Sequence, residues 1–150
     1  MRVRLLSLAC AASLISTAAL AADPCTAIPE RGPLPPYIAL GKPFRGQVSH
    51  IIDGDGLCVA TGTGPNTWVE VRLADFFAPE LNEGGSAAKA ALERLAMNRA
   101  IVCVPQRGFN GDIRTWDRIV ARCQIGNRSV GDLMRGAGVR EGGRAYQPRG

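Results

Sequence analysis

Two short runs hold most of the residues able to do chemistry. They are Ile51-Ile52-Asp53-Gly54-Asp55-Gly56-Leu57-Cys58-Val59 and Val69-Glu70-Val71-Arg72-Leu73-Ala74-Asp75-Phe76-Phe77-Ala78-Pro79-Glu80. The acids Asp53, Asp55, Asp75 and Glu80 offer hard oxygen ligands and proton acceptors, and Arg72 offers a planar guanidinium that meets phosphate in a bidentate way. Further along, Asp117-Arg118 leads into Ile119, Val120 and Ala121, with Arg114 and Trp116 just ahead. Phosphodiester hydrolysis needs a cation or guanidinium groups to offset charge growing on the phosphate oxygens, and an acceptor for the attacking water's proton. Residues of these types meet that need. Singly, each has an ordinary reading as well: Asp53 and Asp55 form turns, Arg72 pairs with Glu70 or Asp75 and Arg118 with Asp117 at a surface, and Trp116 packs on a hairpin. Only their joint occurrence argues for a site.

The elements that must position them follow from the apolar pattern. A strand over Phe44 to Ile52 ends at an Asp-Gly pair, a strong signal for sharp reversal, and a second strand begins at Leu57. Two carboxylates thus sit at one corner. After the loop from Thr61 to Asn66, Val69, Val71 and Leu73 alternate with Glu70, Arg72 and Ala74, which puts Arg72 opposite the three aliphatics. Pro79 then stops pairing and presents Glu80 at the strand's end. Ser86 is placed to cap an amphipathic helix whose Leu92, Leu95 and Ala96 share a face. Ala100 to Val104 and Ile119 to Gln124 read as the fourth and fifth strands, flanking a long loop from Pro105 to Arg118 that is a candidate binding loop. Ser129 or Asn127 opens a short helix through Val130, Leu133, Met134 and Ala137, closed by Gly138. Five short strands with one helix between the third and fourth, and a short carboxy-terminal helix, predict an α+β, mainly β, OB-fold barrel over residues 44–140.

What surrounds that domain speaks to location. Residues 1–22 carry two arginines, an alanine-rich apolar run from Leu5 to Leu20 and Ala19-Leu20-Ala21-Ala22, the pattern of a secretory signal peptide. Its apolar run is short of the roughly 20 residues a bilayer requires, so a secreted or periplasmic protein with no membrane span is expected. Six prolines between residues 23 and 43 predict an extended tether outside the fold. Residues 141–150 read as a flexible tail. Without the leader the chain has about 16 basic residues against 13 acids, a net charge near +3, and nine arginines lie from Arg107 onward. Nearly all the positive charge is arginine, which suits phosphate.

Loss of Cys10 leaves Cys25, Cys58, Cys103 and Cys123, an even number that allows three pairings. Cys103 and Cys123 lie in two apolar runs joined by a polar loop, so a cross-strand bridge between them is preferred, leaving Cys25 to Cys58. A thiolate metal site is disfavoured by the lack of a C-x-x-C pair and by a lone histidine, His50, which reads as a strand residue.

Asp53-Gly54-Asp55, the spacing from Arg72 to Ala78-Pro79-Glu80, and the later Asp117-Arg118 followed by Ile119, Val120 and Ala121 together resemble the staphylococcal nuclease (thermonuclease) family. The motifs fall in that family's order over roughly Arg45 to Val139. The resemblance implies an OB-fold barrel with helices and a metal-dependent endonuclease acting on DNA or RNA as a monomer. It implies that Asp55 ligates Ca²⁺ with Asp53 in the outer shell, that Glu80 orients or deprotonates water, and that Arg72 and Arg118 clamp the phosphate. Arg114 and Trp116 are candidates for nucleic-acid contact. Where the family has a second ligand Asp, this chain has Phe77; Asp75, two residues earlier, would share its face of a regular strand and is the acid weighed as a metal ligand, without the resemblance assigning it that place. The alternative expectation is a catalytically weak or inactive OB-type module that binds nucleic acid or another polyanion.

Overall fold

The computed structural model describes residues 24–144, and the leader at residues 1–22 lies outside them. Period-two alternation builds the strands: β1 (Phe44–Ile51), β2 (Gly56–Ala60), β3 (Trp68–Leu73), β4 (Ala100–Pro105) and β6 (Arg118–Ile125), with two-residue strands β5 (Arg114–Thr115) and β7 (Arg128–Ser129). β3, β2, β1, β4 and β6 pair in that order, each antiparallel to the next. β3 then pairs β6 in parallel, with Val71 opposite Ile119, Arg72 opposite Val120 and Leu73 opposite Ala121. That pairing closes a five-stranded mixed barrel of OB-like architecture, and closure leaves the main strands no free edge.

Val48, Ile51, Leu57, Val59, Val69, Val71, Leu73, Ile119 and Ala121 fill the interior. Helix α1 (Gly85–Ala96) buries Ala88, Ala91, Leu92 and Ala96 against it, and α2 (Val130–Gly136) buries Val130 and Met134. Ser129 caps α2, its hydroxyl accepting from the Asp132 amide at 3.0 Å. Ser86 does not cap α1. A single 3-10 turn over Leu81–Glu83 runs straight into the helix, the N-cap is Gly84 at φ +111°, and Ser86 falls within the first turn. Gly85 packs so closely that a Cβ there would lie 2.6 Å from the Pro79 carbonyl oxygen, so backbone contact, not a side-chain cap, sets this helix start.

The proline-rich segment is part of the fold. Cys25, Ile28 and Ile38 are buried, the amides of Thr26 and Ala27 donate to the carbonyls of Pro65 and Trp68, and that of Gly41 donates to Pro105. An extended chain buries isolated side chains without helical or strand periodicity, so the pattern gave no sign of it. Disulfides join Cys25 to Cys58 and Cys103 to Cys123, the second pair directly opposed across β4 and β6 with Cα atoms 4.1 Å apart. Residues 141–143 are also docked rather than loose, and 145–150 lie outside the described residues. Among the described residues no helix is long and apolar enough to cross a membrane.

Candidate functional site

The β1–β2 corner is fixed from within and from behind. Asp53 Oδ1 accepts the Asp55 amide at 3.0 Å, an Asx-type turn, so Asp53 does serve as a turn former. Behind it, a Cβ on Gly54 would come 2.6 Å from the Ala78 Cβ and 2.7 Å from that of Ala88, so the corner seats on α1 and on the segment after β3 only because residue 54 is glycine. Asp55 is thereby driven inward to 5% exposure. Its Oδ2 accepts the Ala78 amide at 2.9 Å and lies 3.6 Å from Arg72 Nη2. Burial pushes the Asp55 carboxyl up to about 6, and the neighbouring Asp53 adds to this, while Arg72, the Ala78 amide and Arg118 pull the other way. Desolvation outweighs the guanidinium because the charged form has lost its water.

Arg72 and Arg118 come together through the barrel closure. The parallel register that sets Arg72 opposite Val120 also sets Glu70, one step outside it, beside Arg118. Arg118 Nε lies 3.9 Å from Glu70 Oε1, and Glu70 is buried. Arg118 is therefore oriented by Glu70, not by its sequence neighbour Asp117. The Arg72 guanidinium also stands 5.9 Å from the centroid of the Phe77 ring, within cation–π range, and the Phe77 ring is 6.0 Å from that of Phe109.

Asp55, Asp53, Arg72, Glu80 and Arg118 all line one cavity of about 320 Å³. A second cavity of about 560 Å³ adjoins it, sharing Arg72, Phe77 and Arg118 and adding Leu73, Phe109 and Val120. A polar pocket holding the Arg72 and Arg118 guanidinium groups, with Arg144 at its edge, thus opens beside an apolar slot. Phe109, 73% exposed, stands at the slot's mouth.

Three expected site residues lie elsewhere. Asp75 is outside β3, which ends at Leu73, so strand parity does not carry it toward Phe77. Its buried carboxylate packs against α2, where a Cβ on Gly131 would meet it at 2.8 Å, and lies 3.8 Å from Arg122 Nε. It is not among the groups lining the pocket. Arg114 donates from Nη1 to the carbonyls of Pro29 and Gly32, each at 3.0 Å, so its guanidinium ties the amino-terminal segment to β5. Trp116 is 74% exposed at the β5–β6 turn, with φ +61°, a conformation rare for a non-glycine residue. It neither packs on the hairpin nor lines either cavity.

Ca²⁺ takes six to eight oxygen ligands in most protein sites. Among the described residues no group of three or more acid, histidine or cysteine side chains gathers to hold a metal ion. In the pocket one Asp55 oxygen is engaged by an amide and faces Arg72, Asp53 Oδ1 is used by the turn, and position 77 brings a ring. These donors do not fit the Ca²⁺ site implied by the resemblance.

Phe109, Glu141 and Arg144 belong to the site region and are not marked by sequence, and Glu70, expected only as a possible partner of Arg72, pairs with Arg118. Glu70 shared a strand face with Arg72 and was legible in principle; the other three carried no local signal. The chain matches no protein-family model and no curated protein.

Proposed function

We propose that this chain is an exported phosphodiesterase of nuclease type, engaging the sugar–phosphate backbone of DNA or RNA. The observation that carries the reading is the convergence of Asp55, Arg72, Glu80 and Arg118 on one cavity, from four separate chain segments. Arg72 and Arg118 offer paired donors to two phosphate oxygens and stabilise the charge that builds on them as water attacks. Glu80, half exposed beside them, is the acceptor within the cavity for the water's proton. Glu70 orients Arg118, and Asp55 pairs with Arg72 until a phosphate competes for it. The apolar slot between Leu73, Phe77 and Phe109 is of a size and character to receive a base next to the bound phosphate. Two disulfides and the leader motif support export, since disulfides persist in oxidising compartments.

Phe77 favours a second reading, a module that binds nucleic acid without cutting it, because the ring occupies a position from which a carboxylate would have recruited a cation. Mature protein incubated with labelled single-stranded DNA or RNA, in chelator and in Ca²⁺, separates the two. The phosphodiesterase reading expects cleavage that Glu80→Gln lowers by about 100-fold or more, with binding kept within twofold. Salt-sensitive binding without cleavage selects the module, and absence of both removes the cleft as a nucleic-acid site.

A further inference from the structure

The pocket's outer wall is made by a segment beyond α2. Gly138, at φ +79°, turns the chain back after the helix, and the Val139 amide donates to the Met134 carbonyl. Glu141 Oε1 then accepts the Phe77 amide at 3.2 Å and lies 3.4 Å from Arg135 Nη1. The Gly142 amide donates to the Phe77 carbonyl at 3.0 Å, so residues 141 and 142 take both backbone polar groups of Phe77. Gly143, at φ +78°, lies against Ala78 so closely that a Cβ would fall 2.7 Å from the Ala78 carbonyl oxygen. Two independent constraints, conformation and space, make glycine necessary there.

This strap delivers Arg144. Gly142, Gly143 and Arg144 line the same cavity as Asp55, Arg72, Glu80 and Arg118, and Arg144 Nε lies 3.9 Å from Glu80 Oε1. The Arg144 side chain is 94% exposed and Glu80 half exposed, so this pair is screened by solvent and yields readily to a stronger partner. A bound phosphate is such a partner, because it meets guanidinium through charge-assisted, paired hydrogen bonds.

We infer that Glu141–Arg144 is a strap that completes the phosphate pocket, and that Arg144 is a third guanidinium contacting the backbone of a single-stranded nucleic acid, exchanging Glu80 for a phosphate group. Glu141 is its positioning residue, anchoring the strap on Phe77 and Arg135. The inference rests on the nucleic-acid reading above and adds a residue that no motif in the chain marks.

The test is fluorescence anisotropy of a labelled oligothymidylate with the mature protein in chelator, across a salt series, for wild type, Arg144→Ala, Arg144→Lys and Glu141→Ala. Loss of one phosphate contact should weaken binding about fivefold for Arg144→Ala at low salt and reduce the slope of log affinity against log salt by about 0.7. Arg144→Lys should retain the slope with a smaller loss in affinity, since it keeps the charge but not the fork. Glu141→Ala should show the same reduced slope with Arg144 still in place, a result that surface charge alone does not produce. Arg144→Ala or Glu141→Ala binding with wild-type affinity and slope overturns the inference while wild-type binding stands. No binding by wild type overturns the reading beneath it.

Discussion

Asp55→Asn should make the protein more stable at neutral pH, an unusual outcome for a residue at the centre of a site. Burial holds the Asp55 carboxyl near 6 in the folded chain against an ordinary 3.8. Between those values the folded state holds a proton that the unfolded state has lost, so stability falls as pH rises from about 4 to about 6, and it stays lowered above that. A difference of about two units corresponds to roughly 3 kcal/mol. Asparagine keeps an oxygen for the Ala78 amide and carries no charge to desolvate. Urea unfolding of wild type and variant at intervals from pH 4 to pH 8 reads the effect, because subtracting the two curves cancels the other titrating groups. The variant's advantage should grow by about 1–3 kcal/mol across the window and then level off. A flat difference curve would refute the reasoning, since it would mean the Arg72 pair and the amide already compensate burial. A curve of opposite slope would mean that Arg72 dominates and the carboxyl is held below its ordinary range.

Phe77→Asp places a second carboxylate next to Asp55; thermal unfolding of the variant should then respond to millimolar Ca²⁺, up to about 2.7 kcal/mol at a hundredfold excess over the dissociation constant, while wild type shows little response. An equal response in both would contradict the donor assignment at this pocket. Ile38→Ala should cost about 2–4 kcal/mol in chemical denaturation, because Ile38 is buried against the barrel; an unchanged midpoint would return the proline-rich segment to the status of a tether.

The barrel was legible because its strands obey a simple rule: Val69, Val71 and Leu73 alternate with polar neighbours, and all three are buried. The Asp-Gly corner and the Ser129 cap were legible for the same reason, each being decided within four residues. Of three possible pairings, the apolar context of Cys103 and Cys123 favours the observed one, with Cys25 to Cys58 as the remainder. What could not be read was set by contacts distant in sequence. Ile28 and Ile38 show no period, yet both are buried in the hydrophobic core. Arg114, a candidate nucleic-acid contact by sequence, is occupied by two carbonyls from residues 29 and 32. Asp75 lies beyond Leu73, the end of β3, where strand parity no longer holds. The strap was invisible because two glycines and a glutamate signal only a loose tail until Phe77 offers them its amide and carbonyl.

Asp55 and Phe77 together set the order in which this pocket takes charge. With a second carboxylate at position 77, the pocket would carry negative charge that a cation relieves, and the cation would then attract phosphate. With a phenyl ring there, Asp55 is a single desolvated acid poised near 6, facing Arg72 and more distantly Arg118. A phosphate anion entering between those guanidinium groups competes with the Asp55 carboxylate for Arg72 and repels it, so the cheaper state on binding is the one in which Asp55 takes up a proton. Protonation does the work that a cation would otherwise do: it removes one negative charge from beside the phosphate and frees Arg72 to turn toward it. On the proposed phosphate-binding reading, a ring at position 77 leaves the guanidinium groups to meet the anion. In the phosphodiesterase reading proposed above, Arg72 and Arg118 then carry the task of offsetting charge on the phosphate oxygens.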